Sequence, residues 1–266
     1  MSVPVQAGYE LSFVAEYYDF LPLIKGRQDL DFYLHYADAA GDPILELGCG
    51  TGRILLPMAE AAHRVCGLDF SSQMLARCRK KLEAEPPEVR ERVRLIRGNM
   101  VGFDLQESFR LITIPFRPFQ HLLKVEDQIN CLRAAHKHLE PGGKIILDLF
   151  QTDARRMHDL VHLNESEAHT EVTLADGRKV RLAERTVAFH RAEQMNDVEL
   201  IYYVTHPDGS KERLVHAFTI RYFFRYEVEH LLQRCGFRLL EVFGKYDRSP
   251  LLDDSPDMLF VAEKEA

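Results

Sequence analysis

The chain has 266 residues, 46% of them hydrophobic and 28% charged, with a net charge of −7 and a pI near 6.0. That composition describes a soluble globule, either one large domain or a domain carrying an insertion. It argues against a membrane span, because no apolar run approaches the ~20 residues one requires, and against a polyanionic partner, which usually meets a basic surface.

The N-terminus, "MSVPVQAGYELSFVAEYYDF", has no basic stretch followed by an apolar core. It does not read as a signal peptide, so the cytoplasm is the expected location. Five cysteines, Cys49, Cys66, Cys78, Cys131 and Cys235, form no CxxC pair. The expectation is reduced, buried thiols and neither a disulfide framework nor a zinc site. His169, His190, His206 and His216 lack tight ligand spacing, and no metal is expected.

Residues 1 to about 40 read as mainly helical and are rich in tyrosine and phenylalanine. From 42 to 150, short apolar strands alternate with amphipathic helices. "DPILELG" is the first strand, and a helix is predicted from Gly50-Thr51 to about Glu60. "RVCGLDF" is the second strand, and Ser71 is placed to cap a helix with Leu75, Cys78 and Leu82 on one face. "VRLIRG" and "FRLITIPF" are the third and fourth strands. A helix follows from about Val125 to Leu139, stopped by "EPGG". "KIILDLF" is the fifth strand. Such alternation implies right-handed βαβ units and a mostly parallel sheet covered on both faces.

The pattern then changes. "HTEVTL", "KVRLAERTVAFH", "VELIYYVTH" and "RLVHAFTIRYFF" read as an antiparallel meander, linked partly by the Asp-Gly turns "ADGR" and "HPDGS". A helix from about Tyr226 to Cys235 and two strands, "GFRLLEVFG" and "DMLFVAEK", resume the α/β pattern. The expected divisions are an N-terminal segment 1–41, a core 42–150, an insertion 151–224, and the end of the core 225–266.

The chemistry centres on "ILELGCGTGR". A dinucleotide-binding turn reads G-x-G-x-x-G. Here the spacing is Gly48-x-Gly50-x-Gly52, so the third glycine falls one residue early, and Glu46 precedes the first by two. Gly48 and Gly50 let the chain turn sharply and let a ligand lie against the backbone. A helix opening near Thr51 would offer N–H groups to a carboxylate. Asp69 ends the second strand, where an acid can accept both hydroxyls of a ribose. That feature alone suits NAD and S-adenosylmethionine (SAM) equally.

The ordered set "ELGCGTG", "GLDFS", "RGNMVGFDL" and "LEPGG" resembles class I SAM-dependent methyltransferases, over residues 42–150 closely and the terminal strands more loosely. The resemblance implies a Rossmann-like, seven-stranded, mostly parallel α/β sheet with an inserted antiparallel β meander. It implies SAM as methyl donor and S-adenosylhomocysteine as product. The turn around Glu46, Gly48, Cys49, Gly50 and Gly52 would approach the methionine part and ribose, and Asp69 would hold the ribose hydroxyls. Phe70 and Met74 would pack near the adenine, or belong to the core. Asn99 stands where the family often has Asp and would accept from the adenine amino group, with Met100 offering its backbone N–H. Arg53 would reach the SAM carboxylate or be an exposed helix arginine.

In this family the acceptor approaches over the end of the fourth strand, here "IPFRPFQHLLKVED". Pro115 and Pro118 stiffen it. Pro115 joins the cofactor set, and Phe116, Arg117 and Phe119 the acceptor set. His121 and Gln120 are the catalytic candidates, His121 as base or orienting group, each with a structural role as the alternative. The segment is not the [DNS]-P-P-[YFW] motif of base-amino methyltransferases. The N-terminal "AEYYDFLP" resembles lid segments, with Tyr18 facing SAM and Tyr17 the acceptor. Arg221 and Tyr222, closing the meander, complete the acceptor set.

The function expected is methyl transfer from SAM to an O or N atom of a small molecule by in-line displacement, with a homodimer forming through the insertion. The alternatives are a protein or nucleic-acid acceptor, a non-catalytic SAM-binding partner, and an NAD-dependent oxidoreductase.

Overall fold

The computed structural model describes residues 8–21, 24–152, 157, 159–167 and 171–265. Pro22 of the N-terminal segment, and His169 with the start of the first meander stretch, lie outside the described residues. In chain order the elements are α1 (Ser12–Tyr17), α2 (Leu30–Ala40), β1 (Ile44–Leu47), α3 (Leu55–Glu60), β2 (Val65–Asp69), α4 (Ser72–Glu83), α5 (Pro87–Arg90), β3 (Val93–Arg97), β4 (Phe109–Ile114), α6 (Val125–His138), β5 (Leu139–Phe150), β6 (Val172–Thr173), β7 (Lys179–His190), β8 (Met195–Thr205), β9 (Lys211–Arg221), α7 (Arg225–Arg234), β10 (Phe237–Phe243) and β11 (Asp257–Lys264).

These elements make two compact units. One joins Gln28–Gln151 to Tyr222–Ala266, and the other joins Met1–Arg27 to Thr152–Arg221. The N-terminal segment therefore divides: α2 belongs with the α/β unit and α1 with the meander.

The α/β unit holds a seven-stranded sheet in the order β10-β11-β5-β4-β1-β2-β3. Strands β1 to β5 pair in parallel, and β11 runs antiparallel between β5 and β10. Successive strand residues point to opposite faces, which splits the core in two. Leu45, Leu47, Ile112, Ile114, Ile145 and Leu147 face α6 and α7. Ile44, Leu111 and Ile146 face α2, α3 and α4. A fully buried Leu, Ile or Phe contributes about 1.5–3 kcal/mol relative to exposure, so both faces are strongly covered. Ser71 caps α4 as predicted, its Oγ accepting from Met74 N–H at 3.2 Å.

Two boundaries differ from the sequence reading. α3 begins at Leu55, not at Thr51, because the glycines that shape the turn hold left-handed backbone as far as Gly52. β5 begins at Leu139 and absorbs "EPGG": its pairing with β4 shifts register between Phe109 and Leu111, and Gly142 takes φ 74°. A proline-glycine pair here accommodates an irregularity in a strand as well as ending a helix.

The second unit is a four-stranded antiparallel sheet in the order β6-β7-β8-β9. Both Asp-Gly turns form: Gly177 and Gly209 have φ 84° and 85°, and Asp176 and Asp208 each accept from the backbone N–H two residues on. α1 packs its aromatic residues on this sheet, with Phe13 edge-on to Tyr202 at 5.4 Å between ring centroids.

Candidate active site

The glycine turn follows β1 at the carboxyl edge of the sheet, beside the point where strand order reverses between β1 and β4, the usual ligand crevice of such sheets. Gly48, Gly50 and Gly52 have φ 72°, 54° and 79°. A Cβ at Gly48 would lie 2.7 Å from Pro118 Cγ and 3.5 Å from Met100 Cε. The turn, the segment after β3 and the segment after β4 thus come together at this glycine. A Cβ at Gly50 would meet nothing within 4 Å, so its backbone is open to close approach.

Asp69 closes the turn from β2. Its Oδ2 accepts from Gly50 N–H and its Oδ1 from Ser71 N–H, each at 2.8 Å. The carboxylate thus ties the turn to the start of α4 at the end of β2.

Glu46 is buried, and its Oε2 has no hydrogen-bond partner among the described residues. Burial pushes its carboxyl up to about 8, against the pull of Arg53 and with the repulsion of Asp69 and Asp29. Its register partners are Gly67 on β2 and Thr113 on β4, and Thr113 in turn pairs with Ile146 on β5. Thr113 is fully buried, and its Oγ1 also has no partner among the described residues. Two residues beyond Ile146 on the same face, Asp148 is fully buried, with an unpartnered Oδ1. Three adjacent central strands thus each carry a buried oxygen that nothing in the described protein satisfies. Such groups cost free energy unless a ligand or water completes them.

Arg53 does not stand in solvent. Its Nη1 and Nη2 donate to the carboxylate of the fully buried Asp29 at 2.6 and 2.8 Å. Its guanidinium also lies over the Phe116 ring, 5.7 Å from the centroid. Phe70 is half-buried, its carbonyl accepting from Arg97 Nε at 3.2 Å, while Met74 is buried. Asn99 is exposed, with Oδ1 accepting from Val101 N–H at 3.0 Å. Cys49 is buried, its thiol covering Gly67, where a Cβ would lie 2.7 Å from Sγ.

After β4 the chain turns sharply. Pro115 is buried. Phe116 and Arg117 follow with φ 59° and 74°, a conformation that costs a non-glycine residue about 1–3 kcal/mol. Arg117 is anchored by Asp257 at 2.7 Å and lies over the rings of Phe116 and Phe150. The next turn, Pro118–His121, separates the remaining candidates. Phe119 is fully buried in the core against Phe223, at 5.7 Å between ring centroids. Gln120 is also fully buried, with Oε1 accepting from Phe150 N–H at 2.9 Å. Both side chains have partners in the fold, Phe119 through apolar packing and Gln120 through the Phe150 N–H that it satisfies at the end of β5. His121 is half-buried at the end of the turn. Tyr222 is buried and meets Phe224 edge-on.

Three candidates belong to the other unit. Tyr17 is buried there, and its hydroxyl accepts from Arg178 Nη1 at 2.7 Å, with Glu16 holding the same guanidinium. Tyr18 opens a 3-10 turn, and Arg221 ends β9 opposite Met195. Burial, then Glu16, raises the Tyr17 hydroxyl above its ordinary value against the pull of Arg178.

A protein-family model described as "Methyltransferase domain" matches residues 44–143, which span the glycine turn and β1 to β5 as far as Gly143. The cypemycin N-terminal methyltransferase of a Streptomyces species is 26% identical over 225 residues, covering 85% of this chain and 84% of that one. The structure of SAM-bound CalS10, an amino pentose methyltransferase from Micromonospora echinaspora, superposes with a TM-score of 0.66 at 25% identity, covering 97% of this chain and 94% of that one. The chain is a SAM-dependent methyltransferase. The CcbJ methyltransferase from Streptomyces caelestis, with a TM-score of 0.75 at 24% identity over 95% of this chain and 96% of that one, has the same fold. The residues of this methyltransferase fit its donor: SAM carries a sulfonium and an ammonium, and the carboxyl edge presents an open glycine backbone after β1, the strand that carries Glu46 with its buried, incompletely satisfied acidic oxygen. Asp29, Thr113 and Asp148 were not among the residues singled out from sequence. For Thr113 and Asp148 a signal exists, a polar residue inside the apolar runs "RLITI" and "IILDLF".

Proposed function

We propose that this methyltransferase acts on an amino nitrogen of a small molecule, with amino sugars the first class to test. The observation that carries the reading is the acidic character of the carboxyl edge. Asp29, Asp69, Asp148 and Asp257 outnumber Arg53 and Arg117 there, and Glu46 adds a buried, unpartnered oxygen. A site of that charge favours cationic and hydrogen-bond-donating groups over anionic ones. Two relatives agree with an amine acceptor. The Streptomyces venezuelae dTDP-3-amino-3,4,6-trideoxy-alpha-D-glucopyranose N,N-dimethyltransferase is 24% identical, covering 85% of this chain and 90% of that one. The name of the cypemycin enzyme likewise specifies an N-terminus.

Bound SAM supplies a methyl group activated by its sulfonium. The protein's own work is then binding and alignment. Glu46 accepts from the ammonium of the methionine part, and the Gly48–Gly52 turn lies against that part. Asp69 receives the ribose hydroxyls. Asn99 and Met100 meet the adenine edge, beside Phe70 and Met74. Pro115 borders the donor and Phe116 the acceptor, and His121 takes up the proton an amine loses. With a net charge of −7, a nucleic-acid acceptor would be repelled. Among the described residues no helix is long and apolar enough to cross a membrane. Dimerisation through the four-stranded sheet belongs to the same reading and is checked by sedimentation.

The test is S-adenosylhomocysteine release on a panel of amino sugars, their nucleotide conjugates, short peptides with free N-termini, and the matching hydroxyl analogues. Turnover on amines supports the reading. Turnover on the hydroxyl analogues alone would overturn the choice of nitrogen.

A further inference from the structure

We infer that Asp148 is a positioning residue for methyl transfer, whose carboxylate holds the left-handed Phe116–Arg117 turn in the geometry that the acceptor meets. This rests on the methyltransferase reading above and adds to it a residue outside the expected cofactor and acceptor sets.

The β4–β5 ladder ends at the pair Ile114–Leu147. The next residue on β4 is Pro115, which has no N–H to donate. Phe116 N–H turns to the Asp148 side chain and donates to Oδ2 at 2.8 Å. A carboxylate therefore takes over where the strand ladder stops, at the first of two consecutive residues with positive φ. Backbone of that kind persists only when its surroundings over-determine it, and it concentrates at functional sites.

Asp148 is itself held from two other directions. Tyr33 Oη, on α2, donates to Oδ2 at 3.0 Å, and Tyr246 Oη, between β10 and β11, donates to the same oxygen at 2.7 Å. Burial, reinforced by Asp148, keeps the Tyr33 hydroxyl protonated well beyond its ordinary range, so it remains a donor. The three donors come from segments 115, 98 and 32 residues away along the chain. Charge-assisted hydrogen bonds are roughly twice as strong as neutral ones, which suits a hub that must hold strained backbone. On the far side of the turn, Asp257 holds Arg117, and the guanidiniums of Arg53 and Arg117 each lie 5.7 Å from the centroid of the Phe116 ring. The turn is thus fixed from both sides, with the Asp148 contact as its backbone anchor. Pro115 apart, the residues assigned to SAM lie on β1 and after β1, β2 and β3, so loss of the anchor should disturb the alignment of the acceptor far more than the binding of the donor.

The test compares Asp148→Ala and Asp148→Asn with the wild type. Asparagine keeps an oxygen that can accept from Phe116 N–H, without the charge. Hydrogen exchange of peptides covering residues 115–121, and calorimetry with S-adenosylhomocysteine, need no acceptor. Turnover is read on the best acceptor from the panel above. The expected result is at least tenfold faster exchange at Phe116 and Arg117 in D148A, a smaller increase in D148N, and S-adenosylhomocysteine affinity within threefold of wild type in both. Turnover should fall at least tenfold in D148A with KM for SAM within threefold, and recover partly in D148N. Wild-type exchange at the turn in D148A, or a loss of S-adenosylhomocysteine affinity in D148N matching its loss of turnover, overturns the inference. If D148A does not fold, D148N decides: exchange and turnover both at wild-type values also overturn it. Failure of the wild type to bind S-adenosylhomocysteine would instead refute the donor assignment, a separate result.

Discussion

Glu46 on β1 and Thr113 on β4 are register partners on one face of the sheet, and each buries an oxygen with no partner among the described residues. On the neighbouring strands the same row holds Gly67 and Ile146. A carboxyl and a hydroxyl therefore sit side by side in one register row whose other members are a glycine and an isoleucine. Unsatisfied polar groups in such a row are costly, and a bound cation or donor would offset that cost.

Protonation at Glu46 gives the first prediction. Its folded-state value of about 8 stands above the ordinary 4.5. The folded protein holds an extra proton between those two values, so this group's contribution to stability is fully present below about 4.5 and is lost as pH rises towards 8. The full effect of that window is on the order of 3–5 kcal/mol. SAM brings positive charge and favours the carboxylate, so binding near pH 7 should release a proton, and affinity should increase as pH rises towards 8. Calorimetry in buffers of different ionisation enthalpy measures the released proton. Glu46→Gln should abolish both the proton release and this part of the pH dependence of stability.

Asp69 gives the second. Its two oxygens already order Gly50 and Ser71, so the residue shapes the turn as well as serving the ribose. Asp69→Ala should weaken SAM binding at least tenfold, about 1.4 kcal/mol. Asp69→Asn should be intermediate, because its amide can accept on one oxygen only. Unchanged affinity in the alanine variant would remove the ribose assignment.

Much of this site was legible because its signals are local. The Glu46-to-Gly52 spacing, the acid ending β2 and the Ser71 cap all lie within about two dozen residues, where backbone geometry dictates residue type. The late start of α3 was not legible, since nothing in "GTGRILL" shows that left-handed backbone continues to Gly52. Nor was the fate of "FRPFQHL". Aromatic and polar residues alternate there, but only the folded chain shows that Phe119 and Gln120 turn inward while Phe116 is held between two arginines. Asp29, Tyr33 and Tyr246 act through contacts distant in sequence, and their own neighbourhoods give no signal. Asp148 could have been flagged, since an aspartate within "IILDLF" contradicts burial on both faces unless it is well paired.

The Arg53–Asp29 pair gives the third prediction, and it is asymmetric. Asp29 is fully buried, whereas the Arg53 side chain keeps 20% of its exposure. Removing one partner from a buried pair costs about 3–5 kcal/mol when the other is left charged and dry. Arg53→Ala removes two charge-assisted hydrogen bonds from the fully buried Asp29 and should cost the larger share of this loss. Asp29→Ala leaves a guanidinium that can reach water, so its cost should be smaller. Chemical denaturation of the two variants distinguishes them, and equal losses would mean that the pair is more evenly solvated than its geometry shows.

Gln120 and His121 are adjacent, and the structure separates their roles. Gln120 is fully buried and satisfies Phe150 N–H at the end of β5. Removing one partner of a buried hydrogen bond costs about 1–3 kcal/mol. Gln120→Ala should therefore lower the melting temperature, with turnover per folded molecule reduced only by the disturbance it passes to the turn. His121 ends the same turn and is half-buried, with its Nδ1 buried. If it takes the acceptor's proton, His121→Ala should lower turnover about 100-fold or more, in keeping with general-base contributions. SAM affinity and melting temperature should stay close to wild type. A fully active His121→Ala, or one that loses stability as Gln120→Ala does, would make the histidine structural and leave the amine to lose its proton directly to water.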